Sequence, residues 1–227
     1  MLTGTIVNTG AIIIGTFVGL LVKQGIKENY SKAIIKAISL AILVIGISGA
    51  LKTSNFILVI LSIVLGTLLG TALKIEARLD RLGERLNQRF GRGGSPFVEG
   101  FVTSSLIFCV GAMAVVGAIE SGLHGNHETL FAKSLLDGIT SLILSSTLGV
   151  GVLFSAVVVF LYQGGITLLA SSLEPVLTEA VVLEMSAVGG LLILGLGLNI
   201  LEIGKERIPV GNMLPAMFLP IILLAIF

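Results

Sequence analysis

Runs of about twenty apolar residues alternate with short polar breaks along most of the chain. The first three runs fall at 3–22, 33–51 and 56–73. A fourth falls at 97–119, and a shorter one at 132–148 ends in Gly149-Val150-Gly151. Three more follow at 152–173, 180–201 and 211–227. Stretches of this length and apolarity predict membrane-spanning helices. The expected fold is an all-α, polytopic transmembrane helical bundle of about eight spans, forming one integral membrane domain over 1–227. The count falls to seven if 132–173 crosses once. One long hydrophilic stretch, 74–96, interrupts the pattern. Its Leu79, Leu82, Leu86 and Phe90 recur at helical spacing among Lys74, Arg78, Arg81, Arg85, Arg89 and Arg92, which predicts a basic amphipathic helix continuing from the third span, lying either near the headgroups or as a solvated connector with i,i+3 and i,i+4 ion pairs. The turn 91–96 ends it.

Composition sharpens this reading. Of 227 residues, 55% are hydrophobic and 12% charged, with mean hydropathy +1.08, so the polar groups are too few to cover a water-soluble surface. A net charge of +1 offers no field for nucleic acid. One cysteine, Cys109, excludes an internal disulfide, and with two histidines it leaves no structural zinc set. His124 and His127, with Glu120 and Glu128, fall in a short Gly-containing loop that reads as a solvated turn. No phosphate-cradling loop, nucleophile elbow or zinc-protease helix occurs, so no enzyme activity, cofactor or metal is expected. The N-terminal MLTGTIVNTG lacks a basic leader and reads as part of a retained span.

Basic residues orient the bundle. With the N-terminus outside, the loops holding Lys23, Lys27 and Lys32, the 74–96 connector, and Lys205 with Arg207 all face the cytoplasm. This bias requires eight crossings. Spans one to three and six to eight then read as an inverted repeat, a plan common among transporters.

Polar residues inside the spans are the candidate chemistry. Within 132–151, AKSLLDGITSLILSSTLGVG, positions Lys133, Asp137, Ser141 and Ser145 share one helix face, with Thr140 beside them. Unpaired polar groups in hydrocarbon are costly, so such a stripe faces a partner or a cavity. Asp137 reads either as an ion- or proton-coupling carboxylate lined by Thr140, Ser141 and Ser145, or as an interfacial partner of Lys133. A helix starting near Ala132 puts Asp137 only about 8 Å along it. Asn8 and Thr9 in the first span, Asn199 in the seventh and Asn212 at the start of the last complete the ion or substrate pathway candidates. Asn8 and Thr9 read equally as interhelical hydrogen-bond partners, and Asn212 with Pro215 as a capped helix start. Two GxxxG motifs, Gly15 with Gly19 and Gly66 with Gly70, predict close helix packing. Gly149, Gly151 and Pro215 predict breaks. Gln163-Gly164-Gly165 predicts a local helix distortion and nothing further.

The segments NTGAIIIGTFVG (8–19), FAKSLLDGITSLILSSTLG (131–149), EMSAVGGLLILGLGLNI (184–200) and IPVGNMLPA (208–216), in this order over essentially the whole chain, resemble the domain-of-unknown-function 554 family, the YqgA/YdfK-like bacterial inner-membrane proteins. The resemblance implies a polytopic membrane protein without an assigned substrate, and it brings no catalytic residues. The leading expectation is a small secondary transporter or permease for an ion or metabolite, coupled to H+ or Na+. It would work as a homo-oligomer in the lipid bilayer of the bacterial inner membrane. The alternative is a non-transporting membrane scaffold or regulatory protein.

Overall fold

The computed structural model describes residues 1–23, 28–90, 97–110 and 112–226; the Lys27 position and the 91–96 turn lie outside them. Among the described residues every regular element is helical: α1 (Thr3–Lys23), α2 (Glu28–Ala50), α3 (Phe56–Ala72), α4 (Ile75–Phe90), α5 (Phe97–Cys109), α6 (Ala112–Leu123), α7 (Glu128–Leu148), α8 (Gly151–Leu168), α9 (Ala170–Leu173), α10 (Glu179–Ile200), α11 (Val210–Met213) and α12 (Leu219–Ile226). A 3-10 turn, Leu214–Phe218, joins the last two. The all-α membrane fold expected from the hydropathy pattern is the one observed.

Four helical segments are long and apolar enough to cross a membrane: Thr3–Val22, Ala33–Ala50, Gly151–Leu168 and Glu179–Ile200. Two bent pairs raise the number to six if each forms one span. One is α3 with the start of α4, so the basic helix follows the third span across a bend of 58°. Lys74 makes the bend with a φ of 53°, in the left-handed region. The other pair is α5 with α6, which divides the single fourth span expected at 97–119. The last stretch is likewise divided, into α11, the 3-10 turn and α12. Pro215, lacking an N–H, sits in that 3-10 turn. Helix α7 has the length to cross, with 21 residues, but its polar stripe keeps it out of this count.

The chain divides into two compact units, residues 1–35 with 83–175 and residues 36–82 with 176–227. The first unit is built on α1 lying along α7. A Cβ at Gly15 would sit 2.1 Å from the Gly138 carbonyl oxygen, and one at Gly19 would sit 2.2 Å from that of Leu142. Only hydrogen fits there, so the first GxxxG motif is a backbone-to-backbone seam. Helix α8 packs on α5 in the same way, with a Cβ at Gly151 falling 2.1 Å from the Phe97 carbonyl oxygen. Gly149, with φ of 82°, makes the break that turns α7 into α8. Ile12, Phe97, Phe108, Leu130, Leu144, Val152 and Val159 fill the core of this unit.

In the second unit, Gly66 and Gly70 of α3 meet the backbone of Ala216 and Asn212. Gly46 and Gly49 of α2 meet Gly190 of α10. Asn55 caps α3, its Oδ1 accepting from the Leu58 N–H at 3.1 Å. Large apolar side chains such as Ile14, Phe17 and Leu21 of α1 and Ile57, Ile60 and Leu68 of α3 point outward, as lipid contact requires.

Candidate functional site

The polar stripe of α7 divides into two halves with different jobs. Helix α7 begins at Glu128, whose N–H is accepted by Asn126 Oδ1 at 3.1 Å, four residues before the expected start at Ala132. Asp137 is therefore the tenth of 21 residues. At 1.5 Å per residue it lies about 13 Å along a helix of about 31 Å. Asp137 therefore sits near the midpoint of α7 and not about 8 Å from its start, as the shorter helix implied.

There it meets three side chains. Lys133, one turn earlier, donates from Nζ to Asp137 Oδ2 at 2.6 Å. Asn8 Nδ2 of α1 donates to the same oxygen at 3.0 Å, and to Gln163 Oε1 of α8 at 3.1 Å. All four are buried: Asn8 and Gln163 completely, Lys133 and Asp137 with 5% and 6% of their surface exposed. A buried ion pair persists only where further hydrogen bonds satisfy it, and Asn8 supplies one. Around this cluster, Asn8 Oδ1, Gln163 Nε2, Thr5 Oγ1 and Thr167 Oγ1 are buried with no hydrogen-bond partner among the described residues. Thr5 precedes Asn8 by one turn, and Thr167 follows Gln163 by one turn. A Cβ at Gly164 would lie 3.9 Å from Thr5 Cγ2, so this face of α1 looks onto α8. Cys109, at the end of α5, is buried close enough to interact electrostatically with Lys133 and Asp137.

The other half of the stripe is packing. Ser141 Oγ shares its proton between the Gly138 carbonyl of its own helix at 2.8 Å and the Ile12 carbonyl of α1 at 3.2 Å, and Ser145 Oγ between those of Leu142 at 3.2 Å and Thr16 at 3.1 Å. Both hydroxyls hold the glycine seam of α1 together. Thr140 is half-buried beside them. Thr9 bonds back along its own helix, Oγ1 to the Thr5 carbonyl oxygen at 2.8 Å.

Asn199 and Asn212 belong to the second unit and have local partners. Asn199 clasps Ile208, accepting its N–H at 2.8 Å and donating to its carbonyl at 2.9 Å. Asn212 Oδ1 accepts from the Glu76 N–H at 3.0 Å, while its own N–H reaches Glu76 Oε2 at 3.3 Å. Asn212 thus closes the start of α4; the cap position of α11, expected for it, is held by Pro209.

Two buried residues were not singled out from the sequence. Gln163 was read as part of a distortion, but α8 runs unbroken through Gly164 and Gly165 and carries its amide into the cluster. Its signal was a lone amide in an apolar run. Glu184 of α10, 2% exposed, draws in the turn before α3, accepting from the Ser54 N–H and hydroxyl at 3.1 Å each and from the Thr53 hydroxyl. Its signal was a lone carboxylate in an apolar helix. Among the described residues no three His, Cys, Asp or Glu side chains gather as a metal set, and His127 Nδ1 lies 2.9 Å from Ser121 Oγ.

The profile of a family described as protein of unknown function (DUF554) matches residues 3–225. The chain is 36% identical over 221 residues to the uncharacterized membrane protein YdfK of Bacillus subtilis strain 168, covering 96% of this chain and 93% of that one. It is 30% identical over 224 residues to the uncharacterized protein YqgA of Escherichia coli K12, covering 96% and 94%. No solved structure matches. The chain belongs to the DUF554 family of membrane proteins.

Proposed function

We propose that this member of the DUF554 family is a small secondary transporter of the bacterial inner membrane, moving a small ion or metabolite by alternating access. Coupling is to H+ or Na+, and Asp137 lies in the pathway. The observation that carries this reading is the Lys133–Asp137 pair, buried near the midpoint of α7 and bonded by Asn8 from α1, which itself reaches Gln163 on α8. Ionisable groups inside a membrane bundle are expensive and usually mark a substrate or ion route. A pair kept only for stability gains little over apolar residues of the same shape. The protein acts without catalysis and as a homo-oligomer, with the N-terminus outside and α4 in the cytoplasm, as the Lys and Arg distribution favours.

Flux tests it. The purified protein is reconstituted in liposomes and screened for uptake of ions and small metabolites under imposed H+ and Na+ gradients. Gradient-driven uptake that Asp137→Asn abolishes is the expected result. Uptake equal in the two proteins removes Asp137 from the pathway, and none in either favours a scaffold.

A further inference from the structure

The inference below rests on the transporter reading and names what its charged site exchanges. Lys133 and Asp137 form a neutral unit inside the first unit of the chain. From α1 the neutral Asn8 bonds Asp137, and from α8 Gln163 bonds Asn8; the buried Thr5 and Thr167 hydroxyls lie one turn from these two amides. The titratable neighbours on other elements are Cys109 of α5 and, through it, Tyr162 of α8. Neither carries charge as thiol or phenol.

Neutrality constrains what can titrate. Protonating Asp137 alone would leave a buried ammonium unpaired. Deprotonating Lys133 alone would leave a buried carboxylate unpaired. Either state is strongly disfavoured away from water. A change that avoids both, and that the unpartnered oxygens beside the pair favour, is for a monovalent cation to take the carboxylate as Lys133 gives up a proton. The Nζ–H bond breaks, its electron pair stays on nitrogen, the proton passes to water, and the incoming charge replaces that of the ammonium.

The neutral ligands for such a cation are present. Asn8 Oδ1 and Thr5 Oγ1 are fully buried, without hydrogen-bond partners among the described residues, and one turn apart on α1. Thr167 Oγ1, equally buried and unpartnered, lies one turn beyond Gln163 on α8. A carboxylate with amide and hydroxyl oxygens suits a hard cation. The Gln163 amide, whose Nε2 is likewise unpartnered, can present either end by a half-turn of its last torsion.

We propose that the Asp137 site binds a monovalent cation in exchange for the proton held on Lys133, with Asn8 and Thr5 supplying neutral oxygens. Lys133, not Asp137, is then the proton-carrying group of the coupled cycle, and the carboxylate stays ionised throughout.

The test needs no transport. Full-length protein in detergent, weakly buffered at about pH 8, carries a pH-indicator dye and receives sodium chloride, with choline chloride as control. Lithium and potassium chloride follow. Saturable release of about one proton per chain is expected with at least one of the three cations. Lys133→Gln, checked for folding by gel filtration, should bind that cation in an equilibrium radiotracer assay without releasing a proton. Lys133→Arg keeps the ion pair and stays protonated, so it should bind none. Asn8→Ala with Thr5→Ala should weaken binding roughly tenfold or more. Binding to the wild type without proton release, undiminished release from Lys133→Gln, or no response to any of the three cations overturns the proposal. Proton release without liposome flux would remove the transporter reading and leave the exchange site. Solute flux without cation-linked release would do the reverse.

Discussion

A double-mutant cycle on Lys133 and Asp137 measures whether the cluster is charged and coupled. Lys133→Met keeps most of the side-chain volume and leaves Asp137, 6% exposed, with Asn8 as a remaining donor. Removing one partner of a buried pair costs about 3–5 kcal/mol. Insertion scales put an unpaired charge at the centre of a membrane helix at about 2.5–3.5 kcal/mol. A loss of about 3 kcal/mol is the expectation for this variant. Asp137→Leu strands the ammonium and also takes one acceptor from Asn8 Nδ2, which keeps Gln163 Oε1. The extra bond adds about 0.5–1.5 kcal/mol, for a total near 4. In the double variant no charge remains, and only the Asn8 bond is missing. Its loss should be about 1 kcal/mol, so the singles together exceed it by about 6 kcal/mol. Reversible unfolding by sodium dodecyl sulfate in mixed micelles, followed by far-ultraviolet circular dichroism, reads all four proteins. Singles that add to the double within about 0.5 kcal/mol would refute the coupled-pair reasoning.

Three further outcomes follow from the packing. Gly19→Ala pushes a Cβ to 2.2 Å from the Leu142 carbonyl oxygen and should lose about 1–3 kcal/mol, whereas Gly10→Ala meets nothing within 4 Å and should be neutral or gain up to about 1 kcal/mol; thermal midpoints in one detergent compare them, and equal shifts would refute the seam. Gln163→Leu leaves Asn8 bonded to Asp137 alone and should lower stability by about 0.5–1.5 kcal/mol in the same micelle titration, less than either single charge deletion. Glu184→Ala strips the acceptor from Ser54 and Thr53 and should lose about 1–3 kcal/mol, with faster amide exchange at Ser54 as the specific readout; unchanged exchange there would sink this account.

What the sequence made legible follows from which interactions are local. Helices α1, α3 and α10 end within a residue or two of the limits drawn from hydropathy, because an apolar run and its polar boundary are both contained in one stretch. The two GxxxG seams were equally local, since absence of a side chain is itself the signal. The start of α7 is not legible because Glu128-Thr129 closes a polar loop by composition, while Asn126 and the burial of Leu130 draw both residues into the helix. That shift of four residues moves Asp137 to near the midpoint of the helix. The same locality explains Gln163: two glycines after it argue for a break, and only α1, more than 150 positions away, supplies the Asn8 donor that gives its amide a role. Asn212 went astray for the same reason, its partner Glu76 lying 136 positions earlier.

The two halves of the α7 stripe set different limits on motion in the first unit. Ser141 and Ser145 bond carbonyls of α1 directly above Gly15 and Gly19, where the two backbones are already in contact. Sliding or parting these helices would break several hydrogen bonds and open a dry seam, so α1 and α7 behave as one block. Lys133 and Asp137 lie at the other end of that block, where the Gln163 amide of α8 bonds Asn8. Gln163 is held by a single acceptor bond, and its donor end is unpartnered. Parting α8 from the α1–α7 block would break the Asn8–Gln163 bond, while the Asn8–Asp137 and Lys133–Asp137 bonds would stay within the block.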